Sequence, residues 1–212
     1  MKTKTHLIII ILSLVIFAIW TIHLLVGTIY EFEYATYGAL ISIESSALTT
    51  IMTLITHIGS LVGLVVLVVL LLAIPKTRKR FGYPVAITAI VSALLNLLLK
   101  TIINRPRPDE ALQLVSASGL AFPSGHSQSS MAIYLAILIY LFVATNKKKI
   151  RIPLTITCLA LPIFIGLSRI YLGVHFTGDV LAGWALGVAI AFGVHIAYRD
   201  LTRSQVKPSL PK

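Results

Sequence analysis

The sequence predicts an all-α fold: an integral membrane bundle of six transmembrane helices with both termini in the cytoplasm. Three observations carry that expectation. The chain is 57% hydrophobic and only 12% charged, more apolar than a soluble domain of 212 residues would be. Its apolar residues fall in runs of about 20, the length that crosses a bilayer as helix. Its 18 Lys and Arg sit in short clusters between those runs, as topology signals do. The net charge of +11 therefore points to membrane topology rather than to nucleic acid. The single cysteine, Cys158, lies within an apolar run, which excludes a disulfide framework.

Taken in order, the first span is expected from about Leu7 to Tyr30. Its basic start could belong to a signal peptide, but the run is long and no small-x-small cleavage site follows it, so it reads as an uncleaved span. Glu31 to Thr50 mixes Glu31, Glu33 and Glu44 with Phe32, Tyr34 and Tyr37. That is the pattern of an interfacial segment, placed to act as a lid or lipid guide. A second span is expected from about Thr50 to Pro75 and a third from Pro84 to Ile103. A polar loop, Asn104 to Pro123, leads to a fourth span, Ser124 to Ala144. The fifth runs from Ile152 to Leu172 and the sixth from Gly178 to Tyr198, before a polar tail, Arg199 to Lys212. No repeat or low-complexity tract divides the chain, so residues 1–212 read as a single membrane-embedded domain. Gly59/Gly63 and Gly183/Gly187 are small-xxx-small pairs that let helices approach. Pro162 is expected to kink the fifth span. His23, His57, His195, Trp20 and Trp184 are expected to serve packing or the interface.

Six spans put both termini on one side. Fourteen of the 18 basic residues lie in the N-terminus, the 76–80 and 147–151 loops and the tail, all on that side. The positive-inside rule makes it cytoplasmic. Lys100 to Pro123 and the junction from Arg169 to Asp179 then meet at the outer interface.

Those two stretches carry the polar chemistry. His175 and Asp179 are four residues apart, one face of a helix. A carboxylate there fixes the tautomer of the imidazole and leaves the other nitrogen free as base or nucleophile. Arg169 supplies a permanently charged donor fork. Lys100 ends an apolar helix, where a charge needs a partner or a route to the surface. Arg107 is held between two prolines; Arg105 reads as a second clamp or a surface anchor. In Phe122-Pro-Ser-Gly-His126, Ser124 can cap the fourth span. Gly125 lets an anion approach the helix N-terminus, with His126 within reach. Three cations, an anion cradle and two histidines, one carrying an Asp, suit phosphoryl transfer without a metal.

The pattern resembles the type 2 phosphatidic acid phosphatase superfamily. The matching residues are Lys100…Arg107-Pro108, then Pro123-Ser124-Gly125-His126, then Ser168-Arg169…His175…Asp179, with every spacing in place over about 80 residues. The resemblance implies that His175 forms a phosphohistidine, Asp179 orients it and His126 is the general acid. Lys100, Arg107, Ser124, Gly125, His126 and Arg169 would bind the phosphate, with no metal and no cofactor. The lack of large extra domains makes the chain similar to compact bacterial members such as phosphatidylglycerophosphatase B. The expected substrates are phosphatidylglycerol phosphate, phosphatidic acid or undecaprenyl pyrophosphate. A dedicated undecaprenyl pyrophosphate phosphatase is the alternative. The expected partners are a lipid phosphate and membrane lipids, with the chain taken as a monomer. A transporter would place its ionisable residues at mid-membrane on broken helices. A non-catalytic phosphate binder would lack a nucleophile or an acid. A six-span chain argues against a vanadate-dependent peroxidase.

Overall fold

The computed structural model describes residues 3–204, and all regular structure among them is helical. In chain order the helices are α1 (Thr3–Leu25), α2 (Tyr30–Ile41), α3 (Ser46–Ile58) and α4 (Leu61–Ala73). A single turn, α5 (Pro75–Thr77), runs through a π-helical stretch, Arg78–Gly82, into α6 (Tyr83–Ile103). Then come α7 (Gly125–Ala144), α8 (Lys148–Tyr171) and α9 (Thr177–Ser204). The rest of the expected tail, 205–212, lies outside the described residues.

α7 and α9 form the central pair. α1 lies along α9, α6 and α8 pack on α7, and α3 packs on α8. The small residues of α9 make the central contact possible. A Cβ at Gly187 would stand 2.6 Å from the Gln128 carbonyl, and one at Gly183 would stand 2.9 Å from that of Ser124. The outer faces of α1, α4, α6 and α8 expose Leu12, Val62, Leu94 and Ile156 among many similar residues. An apolar belt of this kind faces lipid rather than water.

Among the described residues, five helical segments are long and apolar enough to cross a membrane: α1, the α5–α6 run, α7, α8 and α9. The expected second span is not one helix. Gly59 caps α3, and the Ser60 hydroxyl accepts from Gly63 N to start α4. Hydropathy stays high across the break, so only this cap pair marks it. Gly59 also presses on α8, where a Cβ would stand 2.3 Å from Ile165. Together α3 and α4 still traverse the bundle. Leu48 and Met52 pack on Tyr171 and Leu172 at one end, and Leu71 and Leu72 meet Gly82 at the other. Counted instead with α2, to which it is joined by a bend of 119°, α3 gives a sixth candidate crossing.

Residues 31–50 are not a purely interfacial segment. They hold most of α2, and Glu33 on it is 1% exposed. α8 runs through Pro162 without a break, and the Pro162 carbonyl accepts from Trp184 Nε1 at 3.0 Å. At the far end Arg199 Nη1 donates to Thr3 Oγ1, so both ends of the described chain lie together. His195 packs there against His6 and Tyr140.

Candidate active site

The opposite end of the bundle collects the polar residues. α6 stops at Asn104, which takes the left-handed conformation at φ 51°, one that Asn tolerates better than most residues. Lys100 is thereby left in the last turn, its ammonium donating to the Leu120 carbonyl. Each proline in Arg105-Pro-Arg-Pro108 keeps the arginine before it out of helix, and the two arginines diverge. Arg107 Nε donates to the Ser118 and Gly119 carbonyls, and its Nη1 donates to Val174 O at 2.7 Å. The same Nη1 lies 3.2 Å from His175 Nε2.

The turn between α8 and α9 holds His175. The Arg169 carbonyl accepts from both Val174 N and His175 N. Gly173, at φ +68°, passes so close to the Leu112 carbonyl that a Cβ would stand 1.9 Å from its oxygen, so this turn requires glycine. His175 Nδ1 is 3.2 Å from Asp179 Oδ2. With Arg107 donating to Nε2, the proton belongs on Nδ1 and the lone pair of Nε2 faces the cations. Burial, then the charges of Arg107, Arg169 and Lys100, hold His175 well below the ordinary imidazole range. Those surroundings favour the neutral ring.

Arg169 donates from Nη1 to Thr56 Oγ1 at 2.9 Å, while its buried Nε has no partner. Ser124 caps α7, its hydroxyl accepting from Ser127 Oγ and, at 3.5 Å, Ser127 N. Its own N–H donates to the Asp179 carbonyl, tying the starts of α7 and α9 together. Beneath them Asn96 Nδ2 donates to the Pro123 carbonyl and to Gln128 Oε1, and Gln128 Nε2 donates to the Ser92 carbonyl. His126 makes no side-chain hydrogen bond to a described residue. With Lys100 and Gly125 it forms one end of a cavity of about 560 Å³ between α4, α6 and α7.

All eight residues singled out from the sequence thus converge: Lys100, Arg107, Ser124, Gly125, His126, Arg169, His175 and Asp179. Arg105 is neither a second phosphate clamp nor a surface anchor. It is 5% exposed and bonded to Glu33 and Asp179. Burial alone would lower it, but Glu33 and Asp179 more than compensate and hold its guanidinium above the ordinary value. Glu33, Asn96, Gln128 and Thr56 were not evident from the sequence. Among the described residues, no three His, Cys, Asp or Glu side chains converge as a metal site would need.

Known proteins match this arrangement. The family model of the PAP2 superfamily matches residues 81–203. Phosphatidylglycerophosphatase B of Bacillus subtilis (strain 168) is 41% identical over 104 residues, 47% of this chain and 49% of that protein. The undecaprenyl-diphosphatase BcrC of the same organism is 31% identical over 132 residues, 60% of this chain and 62% of that one. These matches therefore span about half to three-fifths of the curated relatives. The crystal structure of a transmembrane PAP2-type phosphatidylglycerolphosphate phosphatase from Bacillus subtilis superposes with a TM-score of 0.80 at 30% identity. That superposition covers 94% of this chain and 98% of the other. With its three motif segments folded into one cluster, and a family model matching more than half its length, this chain belongs to the PAP2 superfamily.

Proposed function

We propose that the protein is a membrane lipid phosphatase that needs no metal and works through a phosphohistidine. The observation that carries the lipid half of this reading is the groove running from His126, Gly125 and Lys100 along Leu64, Val68 and Leu72. Val65, Val69, Ile90 and Leu97 belong both to its lining and to the exposed apolar belt. It therefore opens sideways, toward the acyl region of a bilayer. A tail can lie there while its phosphate reaches the cations.

Charge supports the phosphate half. Lys100, Arg105, Arg107 and Arg169 supply four positive charges; Glu33 and Asp179 supply two negative ones. With the proton that His126 carries into the first step the surplus is three, enough to offset a phosphate monoester dianion, so the protein's own side chains stabilise the transferring group. In the first step His175 Nε2 forms a bond to phosphorus as the phosphorus–oxygen bond to the lipid breaks. The proton on His126 passes to the departing alkoxide. In the second, His126 takes a proton from water, the hydroxide attacks phosphorus, and the phosphorus–nitrogen bond breaks to release phosphate and free His175. Asp179 faces the charged phosphoimidazole through Nδ1–H.

The substrate class we infer is phosphatidylglycerol phosphate and related lipid phosphates, including phosphatidic acid and undecaprenyl pyrophosphate. Dedicated turnover of undecaprenyl pyrophosphate is the second reading, supported by the similarity to an undecaprenyl-diphosphatase. The decisive experiment is phosphate release by purified protein from the three lipids, with and without chelator. Release that persists in chelator is expected. Loss in chelator, restored by magnesium, rejects the mechanism, and turnover of undecaprenyl pyrophosphate alone selects the second reading.

We further propose six crossings, α3 and α4 counting as one broken span, with the site at the outer face and both termini in the cytoplasm. The basic runs 76–80 and 147–151 at the end away from the site support this orientation. A cysteine at Asp109 should react with an impermeant maleimide in intact cells and one at Thr77 should not; the reverse pattern inverts the topology.

A further inference from the structure

Behind the nucleophile lies a chain of buried ions that the phosphate motifs do not include. Arg105 Nη1 donates to Asp179 Oδ1 at 2.6 Å and to Glu33 Oε1 at 3.0 Å, and its Nη2 donates to Glu33 Oε2 at 2.5 Å. Asp179 Oδ2 is taken by His175 Nδ1 and by Phe176 N at 3.0 Å. Both oxygens of Asp179 are therefore occupied from opposite sides. Glu33, Arg105, His175 and Asp179 are all at most 5% exposed. The guanidinium also stacks on Phe176, 4.3 Å from the ring centre. α2 is stapled to the same turn: Gly178 N donates to Glu33 Oε1, and the hydroxyls of Thr36 and Thr177 share a hydrogen bond. Gly178 has no room for a side chain, since a Cβ would stand 2.7 Å from Glu33 Oε1.

We propose that Glu33 and Arg105 are positioning residues for phosphoryl transfer: Glu33 fixes the Arg105 fork, and Arg105 fixes Asp179 on His175 Nδ1. The inference rests on the phosphatase reading above. A carboxylate with no exposed surface keeps its charge only beside a partner. Arg105 is that partner, and the hydrogen bonds of its two terminal nitrogens to Glu33 allow it one orientation. Neither Glu33 nor Arg105 contacts the groove or the cations that would hold phosphate. Their influence therefore falls on the chemical step and not on binding.

The test uses full-length enzyme in detergent with p-nitrophenyl phosphate and a lipid phosphate, comparing wild type with Glu33→Gln, Arg105→Gln and Arg105→Lys. Arg105→Gln is expected to lower kcat about 100-fold or more on both substrates, Glu33→Gln about tenfold, and Arg105→Lys to regain part of the loss. KM for p-nitrophenyl phosphate and inhibition by inorganic phosphate should stay within about twofold. In an Asp179→Asn background, Arg105→Gln should do little further harm, because both changes break one chain. A mere loss of folded enzyme would instead multiply through both backgrounds and overturn the proposal. Weaker phosphate inhibition in step with kcat would make Arg105 an ordinary phosphate ligand, and loss on the lipid alone would make α2 a lipid-capture element; either result also overturns it. A wild type that releases no phosphate from any ester rejects the phosphatase reading, and this inference falls with it. An active wild type with unaffected variants rejects this inference alone.

Discussion

The two walls of the site are built on opposite plans. On the wall formed by α2, the 105–107 segment and the start of α9, Glu33, Arg105, His175 and Asp179 are buried and bonded to one another. Asp179 and Glu33 spend all four carboxylate oxygens, and His175 has a partner at each ring nitrogen. On the wall formed by α4, α6 and the start of α7, His126 makes no side-chain hydrogen bond to a described residue, and apart from Asn96 and Ser129 the surface beyond it is mainly Leu, Val, Ile and Ala. The same residue type stands on each wall, and the difference is in what surrounds it. Fixed partners give one imidazole a defined tautomer and direction, as a nucleophile requires. An unencumbered ring at the mouth of an apolar groove can instead follow the leaving oxygen of whatever lipid lies there. On the proposed mechanism, bond formation to phosphorus belongs to the first wall, and proton transfer to the leaving group and choice of lipid to the second.

The largest expected effect breaks that contrast at its sharpest point, the two histidines. His175→Ala should lower turnover of every substrate by about 10,000-fold or more, since the proposed mechanism then has no group to bond phosphorus. His126→Ala should cost roughly 100- to 10,000-fold on a lipid phosphomonoester, the usual range for general acid catalysis. On p-nitrophenyl phosphate, whose leaving group needs little protonation, the loss should be much smaller. Rates on the two substrates for both variants check this. An equal fall in His126→Ala would make His126 a binding residue, and retained p-nitrophenyl phosphate turnover in His175→Ala would reverse the roles.

A smaller effect should appear on the groove alone. Ala93 lines it from α6 without joining the buried core. Ala93→Phe should displace part of a tail from the groove. Losing roughly two buried methylene groups costs about 1.6 kcal/mol, or more than tenfold in kcat/KM on a long-chain lipid. p-Nitrophenyl phosphate, which has no tail, should be turned over within about twofold of wild type. If both substrates fall together, the groove belongs to the catalytic wall and the contrast between the walls disappears.

How much of this was readable in advance follows the same division. The motif residues were legible because short spacings fix them: four residues from His175 to Asp179 on adjacent turns, two prolines bracketing Arg107, a Pro-Ser-Gly helix start before His126. Their meeting at one end of the bundle followed from counting spans and placing basic clusters. Arg105 and Glu33 were not legible, because they are 72 residues apart and no local periodicity links them. The available signal was a charge surplus: one arginine more than the motif uses, and an acid set among aromatics that would be costly unless paired. The break at Gly59–Ser60 was hidden for another reason. A Gly-Ser pair ends one helix and caps the next without lowering hydropathy, so a window over residues 50–75 sees a single span. The supporting amides, Asn96 and Gln128, lie inside apolar runs, and only the packed helices reveal what they hold.

The smallest effect concerns the tied wall and is read in stability rather than rate. Burial and the neighbouring Arg107, Arg169 and Lys100 hold His175 well below its unfolded value of about 6.5. Below that value the unfolded chain binds a proton that the folded one refuses. Stability from this residue is therefore complete above about pH 6.5 and is lost as pH falls beneath it. His175→Gln removes the titration while leaving the other histidines in place, so their contributions are common to both proteins. Between about pH 7.5 and pH 5, the melting temperature of the wild type should fall further than that of the variant. Each kcal/mol should appear as roughly 2–4 °C for a chain of this size. The measurement is the difference between two slopes, so any constant cost of the substitution drops out. Equal slopes would mean that His175 titrates as an ordinary histidine. The neutral tautomer assigned from its contacts with Asp179 and Arg107 would then fail, and with it the claim that one wall is fixed for chemistry. A steeper wild type places the refused proton on the ring whose Nε2 faces the phosphate site.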